Sequence, residues 1–135
     1  MTEINDPDKP AVADLIELKV EPKFIKHGTT EERDQYVFSY RVTITNNNRT
    51  SVKLKSRFWV VTDGNGKANE VKGKGVVGQQ PVIAPGESYS YTSGAIFPTP
   101  LGFMQGHYEL QDIEFDCPLQ VDIPAFRLAK EDILH

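Results

Sequence analysis

The chain has 135 residues, a formal net charge of −4 and a single cysteine, Cys117. This length predicts one domain with a hydrophobic core of its own, and a single thiol excludes an intramolecular disulfide. The acidic balance argues against general nucleic-acid binding. No apolar run approaches the roughly 20 residues that cross a bilayer, and the polar N-terminus does not resemble a secretory signal. We therefore expect a cytoplasmic protein that does not bind membranes.

A polar, proline-containing stretch over residues 1–13 predicts a flexible tail, and residues 14–135 predict a single domain. An apolar residue at every second position dominates this domain and is clearest over residues 36–45. The same pattern predicts about seven strands, over residues 16–25, 36–45, 52–60, 68–74, 87–95, 106–115 and 119–127. Turn residues separate them, and no segment has a convincing helical stripe. The sequence thus favours an all-β fold, a two-sheet antiparallel sandwich rather than a small barrel.

One motif resembles a nucleotide-binding signature. Residues 73–78 read Gly-Lys-Gly-Val-Val-Gly, which fits the spacing G-x-G-x-x-G. In a dinucleotide-binding fold a helix follows these glycines and holds the pyrophosphate at its N-terminus. Here Pro81, Pro85 and Gly86 follow within eight residues and prevent a helix from forming. We therefore interpret the motif as a structural loop and predict no nucleotide cofactor.

Other candidate chemistry is sparse. His107 and Glu109 share one face of a predicted strand, but two side chains do not complete a metal or proton-transfer site. Cys117 precedes a proline near a predicted turn, and no base can be placed beside it. The sequence therefore predicts no catalytic residues, no metal site and no enzymatic activity.

A binding surface is the first functional hypothesis. Alternation over residues 52–60 places Val52, Leu54, Phe58 and Val60 inward, and it places four other residues outward. The predicted interaction surface consists of Lys53, Lys55, Arg57 and Trp59. An exposed tryptophan beside an arginine is typical of a protein–protein hot spot. The alternative is that the segment 64–86 folds over Trp59 and buries it.

A small-anion or nucleotide-phosphate site is the second hypothesis. Its residues would be those of the glycine-rich loop, Lys72, Gly73, Lys74, Gly75 and Gly78. Backbone N–H groups of such a loop can form an anion-binding nest beside the lysines. The alternative is an edge strand that its lysines keep soluble.

Long ordered motifs over about residues 16–135 resemble the ApaG family. They include residues 57–59, 63–66, 71–81, 85–86, 91–94, 99–102, 104–108 and 123–128. The resemblance implies an immunoglobulin-like or fibronectin type III-like sandwich and a presumed protein-interaction role, with a genetic link to cobalt and magnesium tolerance. One departure concerns residues 112–118, where the family usually has an Asp/Asn-Gly hairpin and this chain has no glycine. The family's Asp/Asn-Gly turn is therefore not predicted over residues 112–118 of this chain.

Overall fold

A computed structural model describes residues 9–130 of the chain, so the first eight residues of the predicted tail lie outside the described part. The strands are β1 (Ile16–Thr30), β2 (Arg33–Asn46), β3 (Val52–Asp63), β4 (Ala68–Lys74), β5 (Val82–Ile83), β6 (Ser88–Phe97), β7 (Leu101–Asp112) and β8 (Cys117–Ala129). A short 3₁₀ turn, Ala13–Leu15, precedes β1. Residues 9–130 contain no helix long and apolar enough to span a membrane.

The strands form two antiparallel sheets, which we call the small sheet and the large sheet. The small sheet has the order β1-β2-β6, and the large sheet has the order β4-β3-β7-β8, with β5 also paired to β3. Each of the seven predicted strands overlaps an observed one, although β7 begins and ends earlier than the predicted 106–115, and β5 is additional. The prediction of an all-β sandwich is confirmed.

The predicted turns form where side chains or glycines favour them. Between β3 and β4, Asp63 Oδ1 accepts the N–H groups of Asn65 and Lys67 at 2.8 and 3.0 Å. Before β6, Gly86 has a φ of +78° and the Glu87 N–H donates to the Ala84 carbonyl, as in a type II turn.

The hairpin between β7 and β8 is retained without a glycine. Asp112 Oδ1 accepts the N–H groups of Glu114 and Phe115 at 2.9 and 3.0 Å, which nucleates the turn. Asp116 adopts a φ of +55°, the left-handed conformation that glycine provides elsewhere and that aspartate also tolerates. The departure from the family sequence therefore leaves the turn in place.

The inner faces of the two sheets enclose the core, in which Trp59 and Tyr108 are the largest fully buried side chains. Tyr91 reaches across from the small sheet, and its hydroxyl hydrogen-bonds to that of Tyr108. Burial is the main reason that the pKa of each phenol lies well above its ordinary value. The pair is therefore neutral and serves as a polar contact between the sheets.

The end of the predicted tail is fixed to the domain. The Ala11 N–H donates to Asp112 Oδ2 at 2.7 Å, and the Val12 N–H donates to Asn48 Oδ1 at 2.9 Å. Thr50 Oγ1 also donates to Asp112 Oδ2 at 2.7 Å. Ala11 and Val12 thus differ from the expectation of a loose tail, because buried side chains supply partners for their backbone groups.

Acid is expected to weaken the fold through Asp112. Burial alone would raise the pKa of this carboxyl, but hydrogen bonds from Ala11, Phe115, Thr50 and Glu114 outweigh burial and lower it below the ordinary 3.8. A lowered pKa in the folded state contributes stability above the unfolded value, and that contribution disappears as the pH falls from 3.8 through the folded value.

Urea unfolding between pH 7 and pH 2 measures this effect against an Asp112→Asn variant. The wild type should lose more stability below about pH 4 than the variant does. Identical pH profiles for the two proteins would show that Asp112 does not contribute to acid sensitivity.

Candidate functional site

Strand β3 carries most of the predicted interaction residues, and a β-bulge reverses its faces at Lys55. On the neighbouring strand β7, Leu110 pairs with Leu54 and Glu109 pairs with Ser56, so Lys55 has no partner. One extra residue moves every later side chain to the opposite face. Before the bulge, Val52 and Leu54 point inward as predicted. After it, the odd-numbered residues point inward.

The prediction that Trp59 belongs to an outer contact surface is wrong. Its side chain is only 2% exposed, and Tyr40, Tyr108 and Phe126 pack edge-on against its ring with centroid separations of 5.6, 6.2 and 5.8 Å. The alternative prediction of burial is correct, but the cause is the bulge in β3 rather than a covering segment. Ser56 gave the signal in the sequence, because it places a polar side chain at a position that simple alternation assigns to the core.

Phe58 takes the outer position instead and lies in a groove of about 570 Å³ on the large sheet. The imidazole of His107 stacks on the Phe58 ring with a centroid separation of 5.1 Å, and Lys72 Nζ lies 5.6 Å from the ring centroid. Ser56 Oγ donates to Glu109 Oε1 at 2.8 Å. We call this surface the Phe58 face, and it comprises Ser56, Phe58, Lys72, Lys74, His107 and Glu109.

Arg57 connects the predicted interaction surface on β3 with the glycine-rich loop, which the sequence predicts as separate sites. It lies opposite Gly73 on β4, and its Nη1 donates to the carbonyls of Lys74 and Gly75 at 3.2 and 3.0 Å. A Cβ atom on Gly73 would lie 2.5 Å from Arg57 Nη1, so a residue without a side chain allows the guanidinium to cross the edge of the sheet. Arg57 consequently borders the Phe58 groove without belonging to the sheet's outer face.

Lys53 and Lys55 lie away from this groove. Lys53 is half-buried between its strand partners Val82 and Gln111, and Lys55 is exposed at the bulge. The Lys55 carbonyl accepts the Gly75 N–H and the side-chain amide of Gln80, both at 2.9 Å. Of the four predicted interaction residues, only Arg57 therefore borders the groove.

The glycine-rich loop ends in a tight turn whose geometry fits a structural role. Val77 and Gly78 have φ values of +46° and +76°, as the centre of a type I′ turn requires. Val76 and Gln79 exchange backbone hydrogen bonds of 2.8 and 2.9 Å across it. The N–H groups of Gly75, Val76 and the adjacent Gln79 are therefore already used within the protein. An anion nest would need such groups to be free, so no observation here favours the second hypothesis.

The remaining sequence candidates are His107, Glu109 and Cys117. His107 and Glu109 both line the Phe58 groove, as their shared face predicted. Cys117 is half-buried, and its Sγ donates to the Phe115 carbonyl at 3.4 Å. Within residues 9–130, no three His, Cys, Asp or Glu side chains are grouped so that they could hold a metal ion.

Nucleotides are expected to have no specific affinity for the glycine-rich loop. Calorimetry with ATP, NAD or FAD should show no affinity tighter than about 1 mM, equivalent to about −4 kcal/mol. A clear micromolar isotherm that a Gly78→Ala substitution weakens would contradict the structural interpretation of the loop.

Comparison with known proteins gives consistent matches. The family model of the ApaG domain matches residues 26–112. The chain is 52% identical over 118 residues to Protein ApaG of Escherichia coli O1:K1 / APEC and to that of Shigella boydii serotype 18, covering 87% of this chain and 94% of each relative.

Two crystal structures are similar over most of the chain. One, solved by the Northeast Structural Genomics Consortium, is 39% identical with a TM-score of 0.89 and covers 93% of this chain and 94% of the other. The second, of a Bordetella pertussis protein named ApaA, is 42% identical with a TM-score of 0.78 and covers 84% of this chain and 92% of the other.

Proposed function

Because the chain belongs to the ApaG family, we propose that it is a non-enzymatic binding module that recognises another protein in the cytoplasm. The Phe58 face is the proposed contact surface. The observation that carries the proposal is the convergence of an aromatic ring, an imidazole and two lysines in one groove on the large sheet. Aromatic side chains with adjacent cations are enriched where proteins bind one another.

The charges of the face favour an acidic partner segment. Lys72 and Lys74 are exposed along the β4 side of the groove. Glu109 lies on the opposite side, where its carboxylate already accepts a hydrogen bond from Ser56. A carboxylate of the partner would therefore lie against the two lysines while an apolar residue packs on Phe58. Any contribution to cobalt or magnesium tolerance is proposed to be indirect, through the bound partner.

Affinity capture from a lysate of the source organism tests this proposal with matched variants. The test variant carries Lys72→Glu and Lys74→Glu, and the control carries Lys23→Glu and Lys26→Glu. The control makes the same change in net charge at exposed positions of β1, in the small sheet. Captured proteins are identified by mass spectrometry, and the affinity of each purified candidate is then measured for all three chains.

The proposal predicts a protein that wild type and control bind alike and that the test variant binds at least about tenfold more weakly, equivalent to about 1.4 kcal/mol. A Phe58→Ala variant should weaken the same complex. If every captured protein binds the test variant as tightly as the wild type, the Phe58 face is not the contact surface.

A further inference from the structure

A second cavity opens between the two sheets, at the side where their edge strands β4 and β6 lie. Its volume is about 290 Å³. We call it the inter-sheet cleft, and it is lined by Tyr40, Arg57, Trp59, Val61, Asn69, Val71, Ser93, Gly94, Ala95, Ile96 and Met104. At the other side of the sandwich, β1 and β8 contact each other. Trp59 and Val61 of β3 line the cleft, whereas Ser56 and Phe58 line the groove of the Phe58 face. The cleft and the Phe58 face therefore lie on opposite faces of β3.

Small residues on β6 create this space. Tyr91 and Phe97, which point inward on either side of residues 93–95, are buried and fill the gap between the sheets. Between them, Ser93 and Ala95 point the same way but fill little volume. Trp59 and Met104 of the large sheet border the resulting cavity, and the apolar side chain of Val71, also in its lining, is 43% exposed.

Two residues that line the cleft carry polar groups with unused hydrogen-bonding capacity. The Trp59 Nε1–H is buried and has no hydrogen-bond partner among residues 9–130. Arg57 uses Nη1 for two backbone carbonyls, and no carboxylate of the described residues forms an ion pair with its guanidinium. A half-buried guanidinium that has no ion-pair partner within residues 9–130 favours an anionic ligand, and its remaining N–H groups match a planar carboxylate.

We propose that the inter-sheet cleft binds a small carboxylic acid with a compact apolar body. The carboxylate pairs with Arg57 at the opening, and the apolar group packs among Val61, Val71 and Met104. A slight opening of the cleft then lets the Trp59 indole N–H donate to the ligand. The cavity volume of about 290 Å³ lies just below the range of about 300–1,000 Å³ for ligand sites, which favours a short branched or aromatic acid over a larger one.

The single tryptophan of the chain supplies a site-specific probe. In a ¹⁵N-labelled sample, one indole N–H resonance reports Trp59, and it is followed while isovalerate, benzoate or phenylacetate is added. Benzamide and phenylacetamide serve as neutral controls of nearly the same shape. A short peptide ending in valine, with a free or an amidated C-terminus, distinguishes a free acid from the terminal carboxylate of another protein.

The proposal predicts a saturable shift of the indole resonance with at least one acid, and at least tenfold weaker binding of its amide. Arg57→Gln should reduce the affinity at least tenfold. Arg57 also hydrogen-bonds to the glycine-rich loop, so a second variant is needed that leaves Arg57 unchanged. In Ala95→Leu the larger side chain fills the cleft. This variant should still melt cooperatively, and the shift of the indole resonance should be abolished.

Three results would overturn the proposal. The first is no saturable shift with any acid or peptide up to about 10 mM, a concentration above the dissociation constant of a millimolar ligand. The second is equal binding of acids and amides. The third is undiminished binding by the folded Ala95→Leu chain. Binding of the free-ended peptide in preference to the small acids would assign the carboxylate to a chain terminus and support the same site.

Discussion

Replacing Trp59 with alanine is expected to lower the free energy of unfolding by about 3–5 kcal/mol, as expected for deletion of a large core side chain. The reason is that three aromatic rings pack on the indole and the side chain is only 2% exposed. Urea unfolding monitored by circular dichroism measures the loss, since the variant has no tryptophan fluorescence.

Phe58→Ala is the matched control for this measurement. Phe58 is the adjacent residue of the same strand, and it contacts His107 and Lys72 on the outer face. Its removal should cost about 1 kcal/mol, in the range of a single aromatic pair. Simple alternation along β3 predicts the opposite ranking, so a larger loss for Phe58→Ala than for Trp59→Ala would contradict the bulge at Lys55.

Gly75→Ala is the second substitution with a large expected effect, a loss of about 2–5 kcal/mol from a strained backbone combined with steric overlap. Gly75 has a φ of +58°, and a Cβ atom there would lie 1.9 Å from the carbonyl oxygen of Gln79. Neither atom can move away cheaply, because the same carbonyl accepts the Val76 N–H across the turn.

Gly78→Ala separates the two contributions. Gly78 also has a positive φ, +76°, but a Cβ atom there would meet nothing within 4 Å. We expect a loss of about 1 kcal/mol from backbone strain alone. Denaturant midpoints that are equal for the two variants would show that the contact with Gln79 does not determine the choice of glycine at position 75.

The sequence predicts the strands and turns of this protein well because local patterns determine them. The alternation of aromatic and apolar residues along β2 arises because one face of the strand is buried. The positive φ of Gly86 and the turn after Asp63 follow from the backbone preferences of single residues. The positive φ values of Gly75 and Gly78 also agree with the interpretation of the glycine motif as architecture. Such features depend on few neighbours and are therefore visible in the chain itself.

The candidate site was predicted less well because it depends on pairing between strands. A bulge adds one residue to a strand, and only the partner strand β7 shows that Lys55 is the extra one. The contact of Arg57 with Gly73 requires the pairing of β3 with β4. The inter-sheet cleft requires the small residues Ser93 and Ala95 to face Trp59 from the other sheet. None of these contacts between strands produces a repeating pattern of residues in the sequence.

The reversal of β3 at Lys55 is the central structural claim, because it removes Trp59 from the outer surface and places Phe58 there. The fluorescence of the native protein tests it most directly, since Trp59 is the only tryptophan in the sequence. We predict an emission maximum that is blue-shifted from that of the urea-unfolded chain, with strong protection from acrylamide quenching. A native emission maximum and a quenching constant equal to those of the unfolded chain would place Trp59 in solvent and contradict the account.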